Sequence, residues 1–212
     1  MISPLKVRWL GRVSYEDGLK LQEEIVAHKM AEPQAPDELL LLEHDPVYTI
    51  GRTSDRSSLR ELEALPHPLV TISRGGKATY HGPGQLVGYP LLDLRPRGQD
   101  LHLYLRLLEE FIIELLGEFQ IAAERSEGMT GVWVGKRKIA SIGVGVRRWI
   151  SMHGFALNVC GELSGFSAIT PCGLDGVEIT SIERETGKVF SVEEVAAKAG
   201  ECFKRFEKLG DC

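Results

Sequence analysis

From Gly128 to Cys160 the chain runs without a single aspartate or glutamate, and three strand-like runs follow one another inside that stretch. Gly131–Gly135 and Lys138–Val146 are joined by the basic turn Lys136-Arg137, which predicts a hairpin. Trp149–Val159 predicts a third strand beside it. On either side the periodicity changes to that of helices. Ser14-Tyr15-Glu16-Asp17 reads as a hydroxyl N-cap with a carboxylate three residues on, opening a helix to about Lys29. Apolar residues recur at helical spacing from Leu101 to Phe119, with Asp100 as the cap. Ser191-Val192-Glu193-Glu194 opens a last helix whose apolar face holds Val195, Ala199, Phe203 and Phe206. Short runs at Glu38–Leu42, Val47–Ile50, Leu69–Ser73, Leu86–Leu94 and Val177–Ile182 predict further strands. Antiparallel runs between separate helices make this an α+β chain built on a mixed sheet.

A length of 212 residues predicts a single domain over residues 1–212. Hydrophobic residues at 43% and charged residues at 26% exclude a disordered chain. No apolar run approaches the ~18 residues of a membrane span, and the first residues lack a secretory pattern, so no membrane association and a cytoplasmic location are expected. Cys160, Cys172, Cys202 and Cys212 form no CxxC pair, which weakens structural zinc and thioredoxin-like readings. Cys202 and Cys160 read as core packing and Cys212 as incidental. A net charge of −5 disfavours nucleic-acid binding. Yet Ala64–Leu92 is a second acid-free stretch, and 15 of 23 glycines fall within residues 74–88 and 128–176. Such segments are either buried strands with solvated turns or a site that handles something anionic.

The densest chemistry lies in Arg74-Gly75-Gly76-Lys77-Ala78-Thr79-Tyr80-His81-Gly82-Pro83-Gly84-Gln85, a loop between two strands. Its glycines permit positive φ or close approach to a ligand. It contains no GxxxxGK[ST], and the spacing of Gly82, Gly84 and Gly88 misses the dinucleotide fingerprint. Cys172 sits in Thr170-Pro171-Cys172-Gly173, outside any periodic element. A reactive thiol needs a base or cation nearby, because at its ordinary pKa of ~8.5 little thiolate exists at neutral pH. His81, His153 and the basic hairpin with Lys138 could each supply it. His28, His44, His67 and His102 are weaker candidates.

These pieces together resemble one family. The Arg74–Gln85 loop, Lys138-Ile139-Ala140-Ser141-Ile142-Gly143, His153-Gly154-Phe155-Ala156-Leu157-Asn158 and Pro171-Cys172-Gly173 resemble the octanoyl-acyl-carrier-protein:protein octanoyltransferases of lipoate biosynthesis, in the lipoate and biotin protein ligase superfamily. The resemblance runs from roughly residue 5 to 205, and no motif position departs from it; Lys77 and Ala78 fall where the pattern is permissive. It implies a central mixed sheet plus a smaller sheet, flanked by helices. It implies that Cys172 is the acyl-thioester nucleophile and Lys138 its partner. Arg74, Gly75, Gly76, Lys77, Ala78, Thr79, Tyr80 and His81 would line the acyl pocket, with Ser141, Ile142 and Gly143 and with Gly154, Phe155 and Ala156. The implied donor is octanoyl-acyl carrier protein. The implied acceptors are lipoyl domains of 2-oxoacid dehydrogenase complexes and the glycine cleavage H protein. No metal and no cofactor is implied. The alternatives are an ATP-dependent lipoate or biotin ligase of the same fold, against which the Cys172 thiol counts, and a non-catalytic carrier-binding module, which would be expected to lack Cys172 or Lys138.

Two physical expectations follow. In a regular strand, alternation places Ser141 and Gly143 opposite Lys138, so either backbone groups or a local irregularity must bring them to one pocket. Arg74, Lys77, Lys136, Arg137, Arg147 and Arg148 are expected to form one positive face that steers an acidic carrier protein despite the overall charge.

Overall fold

Leu39 to Leu42 are four consecutive leucines, each almost wholly removed from solvent. They lie in strand β2 (Asp37–His44) of a computed structural model that describes residues 3–51, 59, 65–170 and 177–209. An uninterrupted apolar run suits a strand covered on both faces. Leu39 and Leu41 pack under α2 (Leu101–Gly117) and α4 (Val192–Leu209), against Phe111, Leu115, Val195 and Ala199. Leu40 and Leu42 pack on the other side with Ile25 and Val26 of α1 (Tyr15–Ala31). The sheet is therefore a middle layer between one helix and two.

Strands are numbered along the chain. In the main sheet β1 (Leu5–Val13) runs parallel to β2. Next come β6 (Gln85–Leu91), β10 (Ile150–Asn158), β9 (Arg137–Arg147), β8 (Met129–Val134) and β7 (Glu124–Ser126), all antiparallel to their neighbours. The two residues of β11 (Glu178–Ile179) pair in parallel with Arg137 and Lys138, where β10 has already left β9. A second sheet has the order β4 (Leu69–Thr71), β3 (Val47–Ile50), β5 (Thr79–His81). This is the mixed sheet, smaller sheet and flanking helices that the sequence leads one to expect.

The helix starts follow their caps. Ser14 Oγ accepts the Asp17 N–H at 3.1 Å, Asp100 Oδ1 accepts those of His102 and Leu103, and Ser191 and Glu194 form a reciprocal capping box. Two predictions need correction, and two strands went unpredicted. The 177–182 strand shrinks to β11, because Ser181 caps a short helix, α3 (Ile182–Thr186), by accepting the Arg184 N–H. β1 and β7 are edge strands with half-exposed residues, so neither carries a clear apolar alternation. The loop after Arg74 ends in a strand, β5. Cys202 is buried against the core, and Cys160, just past β10, is half-buried. Phe206 and Cys212 lie outside the residues whose side chains are described. Among the described residues no helix is long and apolar enough to cross a membrane.

One buried ion cluster ties three elements together. The Asp37 carboxylate receives Lys29 Nζ at 2.7 Å and an Arg97 guanidinium nitrogen at 2.9 Å, and its Oδ1 accepts the Asp93 N–H. Lys29 also donates to the carbonyls of Ala35 and Pro36. Removing one member leaves the others charged and dry, so Asp37→Ala should cost about 3–5 kcal/mol. Urea unfolding checks this; a loss under about 1 kcal/mol would mean that water reaches the cluster readily.

Candidate active site

β9 and β10 form the floor of a cavity of about 320 Å3. Ser141 lies opposite Ala156 and Gly143 opposite Gly154 in their ladder, and all four residues line the cavity. Lys138 reaches the same cavity because the strand is irregular. Val132 pairs with Ala140 but Trp133 with Lys138, so β9 carries one extra residue there and alternation is broken. Its Nζ donates to the Thr130 carbonyl at 3.0 Å and stands 5.4 Å from the Trp133 ring. The ammonium fits because residue 131 is glycine: a Cβ there would lie 2.7 Å from Lys138 Cε, and its φ of +125° is foreign to other residues. The N–H of that same Thr130–Gly131 peptide donates to Glu109 Oε1 at 3.1 Å, and Glu109 is buried on α2. One peptide unit thus sits between a carboxylate and the lysine ammonium. Arg106 and Arg125 pair with the outer side of that carboxylate.

The Arg74 loop forms a wall. Its guanidinium donates to the carbonyls of Gly75, Lys77 and Thr49 and to Thr49 Oγ1, all at 2.9–3.0 Å. The loop is wrapped around its own arginine, so this charge holds backbone. The Gly75 N–H donates to the Val144 carbonyl at 3.0 Å, anchoring the loop across β9. His81 on β5 shares a 2.8 Å hydrogen bond with Gln85 Oε1. From there a chain runs through Gln85 to Asn158, Asn158 to the Thr180 carbonyl, and the Thr180 N–H to the Lys138 carbonyl. Polar residues of three sequence motifs are thereby joined.

The residues expected to form the pocket divide as follows. Arg74, Gly76, Lys77, Ala78, Thr79, His81, Lys138, Ser141, Ile142, Gly143, Gly154, Phe155 and Ala156 line the one cavity. Gly75 is turned to its bond with β9, and Tyr80 packs away with Tyr48 and Phe166. Cys172, with Pro171 and Gly173, lies outside the described residues. Tyr15, Ile72, Tyr89, Met129 and Thr130 also line the cavity and carried no motif signal. Gln22 and Glu109 were also missed, although each is a polar residue on the apolar face of its helix, which was the available clue.

Residues 14–204 match the model of the lipoyl protein ligase A/B catalytic domain. The chain belongs to that family. It is 48% identical over 197 residues to an octanoyltransferase of Geotalea uraniireducens, covering 93% of this chain and 90% of the relative. An octanoyltransferase of Gloeobacter violaceus is 50% identical over 164 residues, 77% and 73% of the two chains. With relatives so similar over most of its length, this family member is an acyltransferase. A lipoate-protein ligase A bound with ATP superposes with a TM-score of 0.76 at 17% identity, over 98% of this chain and 86% of that one. A biotin protein ligase from Aquifex aeolicus, in complex with biotin and ATP, gives 0.58 at 15% identity, over 96% and 70%. These last two establish the shared fold.

The basic residues of this ligase-family chain do not form the single positive face expected. Arg74 is buried, and Arg137 is paired with Glu185 at 2.8 Å. Arg147 and Arg148 lie at the far end of the 11-residue β9, roughly 35 Å from Lys136. Arg148 and Trp149 both take left-handed φ, as a two-residue hairpin turn requires.

Two histidines, His81 and His153, line the cavity, and a third, His44, packs against His81. Burial, the neighbouring His44, Arg74 and His153 hold His81 down to about 3, and burial with Arg74 holds His153 down to about 4. His44 is lowered too, chiefly by burial. All three are neutral in the folded protein at pH 7, whereas the unfolded chain protonates them near 6.5. Their contribution is complete above pH ~6.5 and is lost as pH falls toward 4 and 3. Urea stability should therefore drop between pH 7 and 5, by at most ~1.4 kcal/mol per pH unit for each histidine. His153→Asn should lessen that slope; an unchanged slope would acquit His153.

Proposed function

We propose that this chain transfers an octanoyl group from octanoyl-acyl carrier protein to the target lysine of lipoyl domains, in the cytoplasm and within a single catalytic domain. The observation that carries the reading is near-half identity to octanoyltransferases across nine-tenths of the chain. The cavity supports it: one end bears Lys138, and most of the motif residues line its walls. The acceptors in this reading are the lipoyl domains of 2-oxoacid dehydrogenase complexes and the glycine cleavage H protein.

In the first step Cys172 Sγ attacks the thioester carbonyl of the phosphopantetheine arm. The new S–C bond forms, the old one breaks, and the carrier thiol leaves with a proton delivered through Lys138. In the second step the lysine amine attacks the acyl-enzyme; a C–N bond forms, the S–C bond to Cys172 breaks, Cys172 leaves as thiolate, and the amine's proton returns to Lys138, which gave one up in the first step. An ammonium beside the thiol favours thiolate. Backbone N–H groups near Gly76 or Cys172 stabilise the tetrahedral oxyanion. The chain downstream of Cys172 returns as β11 directly beside Lys138, which supports a shared site.

The fold shared with ATP-bound ligases favours a second reading, an ATP-dependent lipoate or biotin ligase. A thioester is already activated, so octanoyl transfer should proceed without ATP; strict need for ATP with free octanoate would select the ligase. Intact-mass measurement after incubation with octanoyl-acyl carrier protein should show one octanoyl adduct that hydroxylamine removes. An adduct persisting in Cys172→Ala would end the covalent route. Lys138→Ala should raise the pH at which Cys172 is alkylated by about one unit or more and slow transfer steeply. Unchanged alkylation and rate would reduce Lys138 to a structural charge.

A further inference from the structure

Glu109 is 1% exposed and lies on α2 with Leu108, Ile112 and Leu116, all of them core residues. A carboxylate in such a place costs free energy unless its oxygens are occupied. Its two oxygens face different ways. Oε2 meets Arg106 Nη1 at 2.7 Å and Arg125 Nε at 3.3 Å, and both arginine side chains are half-exposed. Oε1 points inward and accepts one backbone N–H, that of Gly131, at 3.1 Å.

That N–H needs an acceptor from outside the sheet. β7 and β8 shift register between Glu124 and Ser126, β8 and β9 shift between Val132 and Trp133, and neither ladder gives Gly131 a partner. The carbonyl of the same Thr130–Gly131 peptide accepts Lys138 Nζ at 3.0 Å, on the side where Gly128, Met129 and Thr130 line the cavity. A peptide group is planar, so fixing its N–H fixes the direction of its carbonyl. Hydrogen bonds in series also polarise one another, and a carboxylate on the N–H strengthens the carbonyl as an acceptor. Glu109 itself is not a lining residue, so any effect it has on the cavity must pass through this peptide.

Resting on the acyl-transfer reading and on the part it gives Lys138, we infer that Glu109 is a positioning residue of the transfer. Through the Thr130–Gly131 peptide it aims the Lys138 ammonium into the cavity. That role demands an acceptor that reaches the Gly131 N–H. A purely structural role, as the buried anchor of Arg106 and Arg125, demands negative charge instead. Substitution separates the two demands. Glu109→Gln keeps the length and an acceptor oxygen but gives up the charge. Glu109→Asp keeps the charge, which the half-exposed arginines can follow, but falls short of Gly131 by about one C–C bond, roughly 1.5 Å.

The test measures kcat and KM with octanoyl-pantetheine and a lipoyl-domain acceptor, urea stability, and the rate of Cys172 alkylation by iodoacetamide at one pH. Misplacing a group by about 1 Å can slow a reaction about a hundredfold. Glu109→Asp should therefore lower kcat at least about tenfold, whereas Glu109→Gln should lose no more than about threefold. KM should move less than about twofold in both, because neither change touches the cavity lining. Alkylation should slow in Glu109→Asp, and adding Glu109→Asp to Lys138→Ala should slow it no further, since the effect travels through the lysine. If Glu109→Asp does not fold, Glu109→Asn, equally short and uncharged, takes its place against Glu109→Gln. A loss of kcat in Glu109→Gln as large as in the shortened variant overturns the positioning role, as does equal slowing of alkylation with and without Lys138. Folded short variants that match the native enzyme, while Lys138→Ala is slow, overturn it too and leave acyl transfer standing. A Lys138→Ala enzyme that matches the native one, or a native enzyme that transfers no acyl group, overturns the reading beneath it as well.

Discussion

Successive side chains of a β-strand point to opposite faces, so a strand buried on both sides cannot ordinarily gather residues of unlike parity around one cavity. β9 and β10 are such strands: Ala140, Val144, Phe155 and Leu157 are committed to the core under α2. Each breaks the rule once. β9 inserts one residue between Lys138 and Ala140, and β10 takes a left-handed residue at His153. The first lies just beyond the Ala140 end of the shared ladder and the second midway along it, and together they bring a lysine and a histidine onto one floor with Ser141, Gly143, Gly154 and Ala156. Without them neither strand would offer the cavity an ionisable side chain.

Both breaks need support from outside their own strands. At Lys138 it comes from α2, whose Glu109 holds the Thr130–Gly131 peptide by its N–H while the carbonyl of the same peptide accepts the lysine. At His153 it comes from α1, whose Gln22 accepts the one backbone N–H that the loosened ladder leaves over. Each helix thus commits one buried polar side chain to a strand irregularity. Such a group costs free energy unless its hydrogen bonds are met, and here they are met by backbone that the strand irregularity has released.

The parts of this architecture that obey local rules were legible in the sequence. Ser14, Asp100 and Ser191 are caps, β2 is a buried leucine run, and the 129–158 segment is a string of antiparallel strands. Parity also left two ways to bring Lys138 to the pocket, backbone contacts or a local irregularity, and β9 takes the second. What stayed hidden depends on tertiary partners. β1 and β7 are edges with mixed exposure, and β11 is two residues long because the cap at Ser181 competes with the strand. No local pattern marks His153 as left-handed; the conformation exists because Pro90 withholds a donor and Gln22 supplies an acceptor from a helix far away in sequence. The basic residues misled for the same reason. Arg74 looks like an anion binder in a glycine loop, but four oxygens of its own surroundings claim it.

That commitment of Arg74 bears on what the cavity suits. Burial, aided by its field, keeps His81 and His153 neutral, so the histidines offer dipoles rather than charge. An uncharged alkyl chain meets no desolvated ion there, and each methylene it buries gains ~0.8 kcal/mol. At the other end the Lys138 ammonium has a carbonyl and an indole face beside it and a carboxylate one peptide away. The cavity is thus graded from a cation to a neutral wall, which matches a ligand that carries its reactive, polarisable group at one end and hydrocarbon at the other. A ligand with charge at both ends would leave one of them against the neutral histidines, at a desolvation cost that the cavity does nothing to offset.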